Sequence, residues 1–150
     1  MTTSSPYIGA SVKRLEDRRF LTGTGRYIDD VKLPDMAVMA IYRSPHAHAR
    51  INSIDLAAAR AVPGVIDAFC AADIDMDLPV IPLRLAPFDG FERFLQRPIA
   101  QDKVRFVGEP VAVVIASDRY IAEDALDLIE VDFAPLPAVT SVGQAASGET

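Results

Sequence analysis

The first candidates for a catalytic or metal-binding site are two histidines, one cysteine and a few of the carboxylates. His46 and His48, the only histidines, lie two residues apart in the loop 44–49. A pair with this spacing can bind zinc, but zinc needs a third or fourth ligand. The nearby acids Asp35 and Asp55 lie across predicted strands. We therefore interpret the pair as part of a solvent-exposed loop, and the shortage of histidine also argues against a catalytic triad.

Cys70 and Glu109 are the other candidates for a reactive group. Cys70 lies inside an apolar strand, so we interpret it as a core residue rather than a nucleophile. Glu109 lies in a turn between two apolar segments, which is a rigid mount, yet a turn glutamate before a proline is usually solvated. Arg105 is open to the same two interpretations, a functional side chain on a rigid turn or a solvated turn residue. A single cysteine excludes an internal disulfide, a four-thiolate zinc site and an iron–sulfur cluster held by this chain alone.

Two acidic clusters and one glycine-rich loop are weaker candidates. Asp73, Asp75 and Asp77 alternate with apolar residues, but this run lacks the glycine and the final glutamate of an EF-hand calcium loop. Asp29–Asp30 is an isolated acidic pair. The loop 22–25 contains two glycines but lacks the preceding strand and following helix that a phosphate-binding loop requires. From the residues alone we predict no catalytic, cofactor-binding or metal-binding site.

The stretch 104–116 is the element that must organise the rest of the chain. Residues 104–106 alternate between apolar and polar, which predicts a strand with one apolar face. The Gly-Glu-Pro turn at 108–110 interrupts the pattern, because glycine allows a positive φ and proline has no N–H to donate. Residues 111–116 are all apolar and mostly β-branched, as in a strand that is covered on both faces.

Further strands and two main helices are predicted on either side of this stretch. The helices are 56–62, capped by Asp55, and 119–129, capped by Ser117 or Asp118. The second helix has an apolar stripe made of Ile121, Ala122, Ala125, Leu128 and Ile129. The predicted strands are 36–43, 50–54, 65–70 and 130–133, in addition to those within 104–116.

Because strands and helices do not alternate regularly, we predict a single α+β domain with a mixed β-sheet rather than a doubly wound sheet. Its extent is 13–142, after an extended lead-in at 1–12 and before a linker-like tail at 143–150.

The segment 76–101 does not fit this pattern. It contains four prolines and many large apolar residues, and loops of this length are uncommon inside compact domains. Phe91, Phe94 and Leu95 are spaced to share one face of a short helix. So much apolar surface either folds back over the sheet or contacts another chain. We favour the contact with another chain.

Composition excludes several classes of function. The chain has 150 residues, of which 50% are hydrophobic and 24% charged, as in a globular protein. Its net charge of −6 and lack of a basic run disfavour nucleic-acid binding. The longest apolar run, 111–116, is far shorter than the roughly 20 residues that span a bilayer. Residues 1–5 do not begin a secretory signal, so we predict a cytoplasmic protein.

Several short motifs follow one another between residues 8 and 142, and the ordered set resembles a known family. In chain order they are Ile8-Gly9, Arg14–Asp17, Phe20–Gly23, Gly25–Tyr27, Asp29-Asp30, Arg43–Ile51, Ile54-Asp55, Pro63–Val65, Val104–Val114 and Leu136–Val139. This set resembles the N-terminal α/β-hammerhead domain of the molybdenum hydroxylases. These are the large, molybdopterin-binding subunits of xanthine dehydrogenase, aldehyde oxidase and aerobic carbon monoxide dehydrogenase. Asp35 departs from the pattern, because the family commonly has glycine there.

The resemblance implies an α/β-hammerhead fold and a role in a larger oxidoreductase. Such enzymes oxidise aldehydes, purine-type heterocycles or carbon monoxide at a molybdenum–pterin cofactor. Electrons then pass through [2Fe–2S] clusters to FAD, often on separate small and medium subunits. The catalytic and cofactor-binding residues of the family lie in later domains, so none is carried over to this chain. The implied partners are the molybdopterin-binding domains, the [2Fe–2S] subunit and the FAD subunit of an oligomeric complex.

Two function hypotheses therefore remain open. The first is a structural and assembly domain of a molybdenum hydroxylase, which is not catalytic alone. The alternative is a self-standing binding or interaction module that kept the fold without the enzyme. A lipoyl or biotinyl carrier domain is disfavoured, because Lys103 is followed by a strand and does not lie at a hairpin tip.

Overall fold

The computed structural model describes residues 9–82, 90 and 92–148. The chain divides into two compact units, Met1–Pro34 and Asp35–Thr150. The domain boundaries expected after residues 12 and 142 stay predictions. No helix in the described ranges is long and apolar enough to cross a membrane.

The first unit is a short helix followed by a tight loop. Helix α1 spans Asp17–Leu21, and a 3₁₀ turn spans Ile28–Asp30. The rings of Phe20 and Tyr27 stack with their centroids 5.8 Å apart. Gly25 lies against this pair, where a Cβ atom would come within 2.9 Å of the Phe20 ring. A side chain at position 25 would therefore have to displace the Phe20 ring.

The second unit contains a three-stranded antiparallel sheet with strand order β1-β5-β3. Its strands are β1 (Val38–Arg43), β3 (Val65–Cys70) and β5 (Pro110–Ala116). The central strand β5 is almost completely covered, as its run of β-branched and small residues predicted. Most of its residues face either the helices or the segment that follows β3.

A second antiparallel sheet has the order β4-β2-β6. Its strands are β2 (Ala49–Asp55), β4 (Lys103–Val104) and β6 (Glu130–Pro135). The α+β class is thus confirmed, but the strands form two small antiparallel sheets instead of one mixed sheet. The strand expected at 104–106 is short, because the chain turns after Val104 and crosses from one sheet to the other. Phe106 consequently lies in the turn.

Helix α3 (Arg119–Leu126) covers one face of the first sheet, together with α2 (Ala57–Arg60). Asp118 caps α3, since its Oδ1 accepts the N–H of Tyr120 at 2.8 Å. Asp55 accepts the N–H of Ala57 at 2.8 Å, but the N-cap of α2 is Leu56, and the helix is shorter than the predicted 56–62.

Small residues let α3 pack closely on the sheet. Ala122 and Ala125 are completely buried, and Ile129 is buried just beyond the helix. Leu128 is exposed, contrary to the predicted apolar stripe. The helix ends at Leu126, so helical spacing no longer determines which way residue 128 points.

The segment 76–101 partly folds back over the first sheet. Leu78 and Ile99 are buried against Val113 on the face opposite the helices. Met76, Ile81 and Phe94 remain exposed. A 3₁₀ turn, Glu92–Phe94, lies where a short helix was expected. The preference for contact with another chain therefore does not hold for the whole segment, and residues 83–89 and 91, including Phe91, lie outside the described residues.

The chain after β6 contains one more short helix. Helix α4 spans Val142–Ser147 and so overlaps the linker-like tail expected at 143–150, which stays a prediction. The Oγ of Ser141 accepts the N–H of Gln144 at 3.2 Å and so caps the helix. None of the helix residues is buried.

Candidate functional site

The turn 105–109, between β4 and β5, is built around a buried carboxylate. Glu109 is only 2% exposed, which corrects the expectation of a solvated turn residue. Its Oε2 accepts the backbone N–H of Arg105, and its Oε1 lies 3.4 Å from the Arg105 guanidinium. Gly108 has φ +91°, a conformation that favours glycine. The turn folds back on itself, so Glu109 points inward rather than to water.

The turn is tied to the loop that follows β1. The N–H of Ser44 donates to the Glu109 carbonyl at 2.9 Å, and the N–H of Gly108 donates to the Ser44 carbonyl at 2.8 Å. Arg43 adds a bond from Nη1 to the Gly108 carbonyl at 2.9 Å. Ser44 is itself 2% exposed, and its hydroxyl bonds to the backbone of His46. These bonds hold the turn and the histidine-containing loop as one rigid piece.

His46 and His48 are half-buried, which corrects the expectation of a solvent-exposed pair. The ring of His46 packs edge-on against Phe133, with centroids 4.9 Å apart. The Nδ1 of His48 lies 2.7 Å from the Pro137 carbonyl oxygen. A carbonyl only accepts, so Nδ1 carries the proton and donates. Over the described ranges no three His, Cys, Asp or Glu side chains gather to hold a metal.

Cys70 is buried at the end of β3, which confirms its interpretation as a core residue. Burial is the largest of several causes that raise the pKa of its thiol. Because the thiolate is the reactive form, a raised pKa opposes a nucleophilic role.

The acidic run after β3 serves local structure. The backbone N–H of Cys70 donates to Asp73 at 2.9 Å, and Arg60 lies 3.1 Å from the same carboxylate. The Cys70 bond is the largest cause of a lowered Asp73 pKa, and Arg60 lowers it further. Asp77 pairs with Arg97 at 2.8 Å instead. Asp73 and Asp77 therefore have separate protein partners, which differs from the convergent oxygens of a calcium site.

Two concave regions lie on either side of the turn. One is a small cavity of about 90 Å³ between Arg97, Arg105 and Glu109. The other, which we name the turn cleft, has a volume of about 430 Å³. The turn cleft is lined by Ala47, His48, Arg105, Phe106, Val107, Pro137, Ala138, Val139 and Thr140. The sequence analysis did not predict this cleft. The available signal was a pair of apolar residues, Phe106 and Val107, directly before the Gly-Glu-Pro turn.

Most of the residues that line the turn cleft are apolar. Its apolar members Phe106, Val107 and Val139 are exposed. Its polar side chains already bind groups of the same domain, as His48 does with Pro137. The expectation that this chain supplies no catalytic, cofactor-binding or metal-binding residue stays a prediction.

Comparison with known proteins identifies the family of the domain. The family model described as the a/b hammerhead domain of aldehyde oxidase and xanthine dehydrogenase matches residues 22–137. The large chain of carbon monoxide dehydrogenase from Afipia carboxidovorans is 46% identical over 88% of this chain and 16% of that protein. The large subunit of nicotine 6-hydroxylase from Paenarthrobacter nicotinovorans is 38% identical over 94% of this chain and 17% of that protein.

Solved structures agree with this assignment. Quinoline 2-oxidoreductase from Pseudomonas putida 86 superposes with a TM-score of 0.80 and 49% identity, over 95% of this chain and 18% of that chain. Reconstituted CO dehydrogenase from Oligotropha carboxidovorans gives a TM-score of 0.81 and 43% identity, over 94% of this chain and 17% of that chain. The chain thus spans less than a fifth of the length of these relatives. It belongs to the a/b hammerhead domain family of aldehyde oxidase and xanthine dehydrogenase.

Proposed function

We propose that the chain is the structural and assembly domain at the N-terminal end of a molybdenum-dependent oxidoreductase large subunit, and that it is not catalytic alone. The observation that carries the proposal is the match of 88–95% of this chain to only 16–18% of large oxidoreductase chains. The reacting centre of such an enzyme then lies in the remaining domains.

The contacts of the potentially reactive side chains support a structural role. Glu109 holds a turn, His48 joins two segments, and Cys70 fills the core. Each group is therefore occupied by contacts within the domain. A catalytic acid, base or nucleophile instead needs access to a substrate.

The cofactors of the whole enzyme belong, in this proposal, to other domains and subunits. Relatives include a nicotinate dehydrogenase large molybdopterin subunit and a Cu,Mo-CO dehydrogenase. From these we infer a molybdenum–pterin cofactor, with [2Fe–2S] clusters and FAD on partner subunits in the cytoplasm. An iron–sulfur cluster is typically held by four cysteines. This chain has one cysteine, which is buried, and so does not fit such a cluster.

Metal and flavin analysis of the complete gene product tests this function. We expect molybdenum, iron and flavin to co-purify with the protein from its own host, together with separate iron–sulfur and flavin chains. Mass spectrometry of the purified complex identifies the chains, and elemental analysis gives the metals. A complete gene product that is stable, contains no molybdenum and has no partner chain would contradict the proposal. That result would favour a self-standing binding module.

A further inference from the structure

The turn cleft combines a rigid frame with an exposed apolar surface. Phe106 and Val107 are 40% and 64% exposed, and Val139 across the cleft is 45% exposed. The turn that carries Phe106 and Val107 is held by the buried Glu109 and by the backbone bonds to Ser44. The buried carboxylate thus fixes a turn whose two apolar side chains are only partly buried within the domain. Preorganisation of this kind lowers the entropic cost of binding a partner.

The polar groups of the cleft indicate what kind of partner it fits. The Nδ1 of His48 donates to Pro137, and Arg105 contacts Asp102 and Glu109. The hydroxyl of Thr140 lies 3.3 Å from the Gln144 side chain. These groups have partners inside the domain, and the rest of the lining is apolar. The surface therefore matches apolar side chains of a protein better than a polar cofactor or an anion.

We propose that the turn cleft is the docking site for an apolar segment from the remaining domains of the same large-subunit polypeptide. This inference rests on the proposed function. More than four fifths of each relative's large chain lies outside the part that this domain matches. Such a segment is covalently tethered, so its effective concentration at the cleft exceeds that of a separate subunit. The cleft holds apolar side chains of that segment between Val107 and Val139.

Photo-cross-linking in the complete, purified gene product tests the docking. The substitution Val107→p-benzoyl-phenylalanine puts a cross-linker on one wall of the cleft, and the same change at Val139 puts one on the other wall. Ile66, on β3, is 63% exposed and provides a control position matched to Val107. Peptide mapping by mass spectrometry then identifies what each position touches.

We expect Val107 and Val139 to cross-link to one peptide of the same polypeptide beyond residue 150, in higher yield than Ile66. Two cleft positions keep the test informative if one variant fails to fold. Cross-links to a separate subunit, cross-links back into residues 1–150, or yields no higher than at Ile66 would each overturn the inference. The molybdenum content of the same preparation reports on the proposed function. A molybdenum-containing protein without the cross-link rejects the docking site alone.

Discussion

The carboxylate of Glu109 accepts a hydrogen bond from the backbone N–H of Arg105, four residues earlier in the chain. This contact closes the turn that carries the chain from the second sheet to the first. Because Glu109 is buried, its removal leaves the backbone N–H of Arg105 without its acceptor. It also removes one of the two carboxylates beside the Arg105 guanidinium, the other being that of Asp102. The local bond thus has consequences for the whole domain.

Glu109→Ala should lower the free energy of unfolding by about 1–3 kcal/mol, the usual cost of a buried group left without its partner. Glu109→Gln should lose less, because its amide oxygen still accepts the Arg105 N–H. Urea denaturation of the chain measures both. Arg119 and Glu123 provide a matched control, since they have the same spacing but are exposed. Glu123→Ala should cost no more than about 0.5 kcal/mol. Equal, small losses in the free energy of unfolding for Glu109→Ala and Glu123→Ala would contradict a stabilising role of the buried Glu109 carboxylate.

His48→Ala should destabilise the domain by about 1 kcal/mol, the typical net value of a hydrogen bond. The lost bond joins the loop after β1 to Pro137, which is 89 residues away. His48→Asn should be close to wild type, because the asparagine Nδ2 can occupy the position of the histidine Nδ1. Thermal and urea unfolding of the three proteins measure the difference. If His48→Ala and His48→Asn have the same stability, the hydrogen bond to Pro137 does not contribute to the stability of the domain.

Asp73 should make stability depend on pH in the acid range. The bonds from Cys70 and Arg60 lower its pKa in the folded state, so its contribution is present above the unfolded-state pKa of about 3.9. The contribution is lost as the pH falls through the folded-state pKa. Asp73→Asn should therefore cost roughly 0.2–1 kcal/mol at neutral pH, since the pair is largely exposed, and nothing in strong acid.

The measurement for Asp73 is urea unfolding of both proteins between neutral pH and pH ~2. Asp124→Asn, on the exposed face of α3, serves as the control. A wild-type advantage that stays constant over the whole range would show that the charge of Asp73 plays no part.

Asp35 has φ +57°, the only positive φ among the described non-glycine residues. The position is also where the motif pattern departs from the glycine common in the family. Asp35→Gly should be tolerated within about 0.5 kcal/mol, because relief of the left-handed conformation offsets the greater freedom of the unfolded chain.

Asp35→Val should instead cost about 1–3 kcal/mol, because a β-branched residue fits this conformation poorly. Unfolding midpoints of the two variants and wild type decide the matter. A valine variant as stable as the glycine variant would show that the chain relaxes to a negative φ at this position.

Local patterns predicted the elements well. The cap Asp118, strand β3 and the buried run of β5 were all predicted from neighbouring residues, because capping bonds and side-chain alternation act over a few positions. The ordered motifs also predicted the family, which the comparisons confirmed. Leu128 shows where this reasoning stops, since the helix ends at Leu126 and Leu128 is exposed.

The sequence alone therefore determined most of the strands, the two main helices and the family to which the domain belongs. Only the tertiary structure decided that Glu109 is buried, that His48 bonds to Pro137 and that the strands divide into two sheets. The physical reason is distance along the chain. Whether a polar side chain faces water depends on which remote segments pack around it, and no short pattern encodes those contacts. The turn cleft is formed by three segments far apart in sequence, so only the tertiary structure showed it.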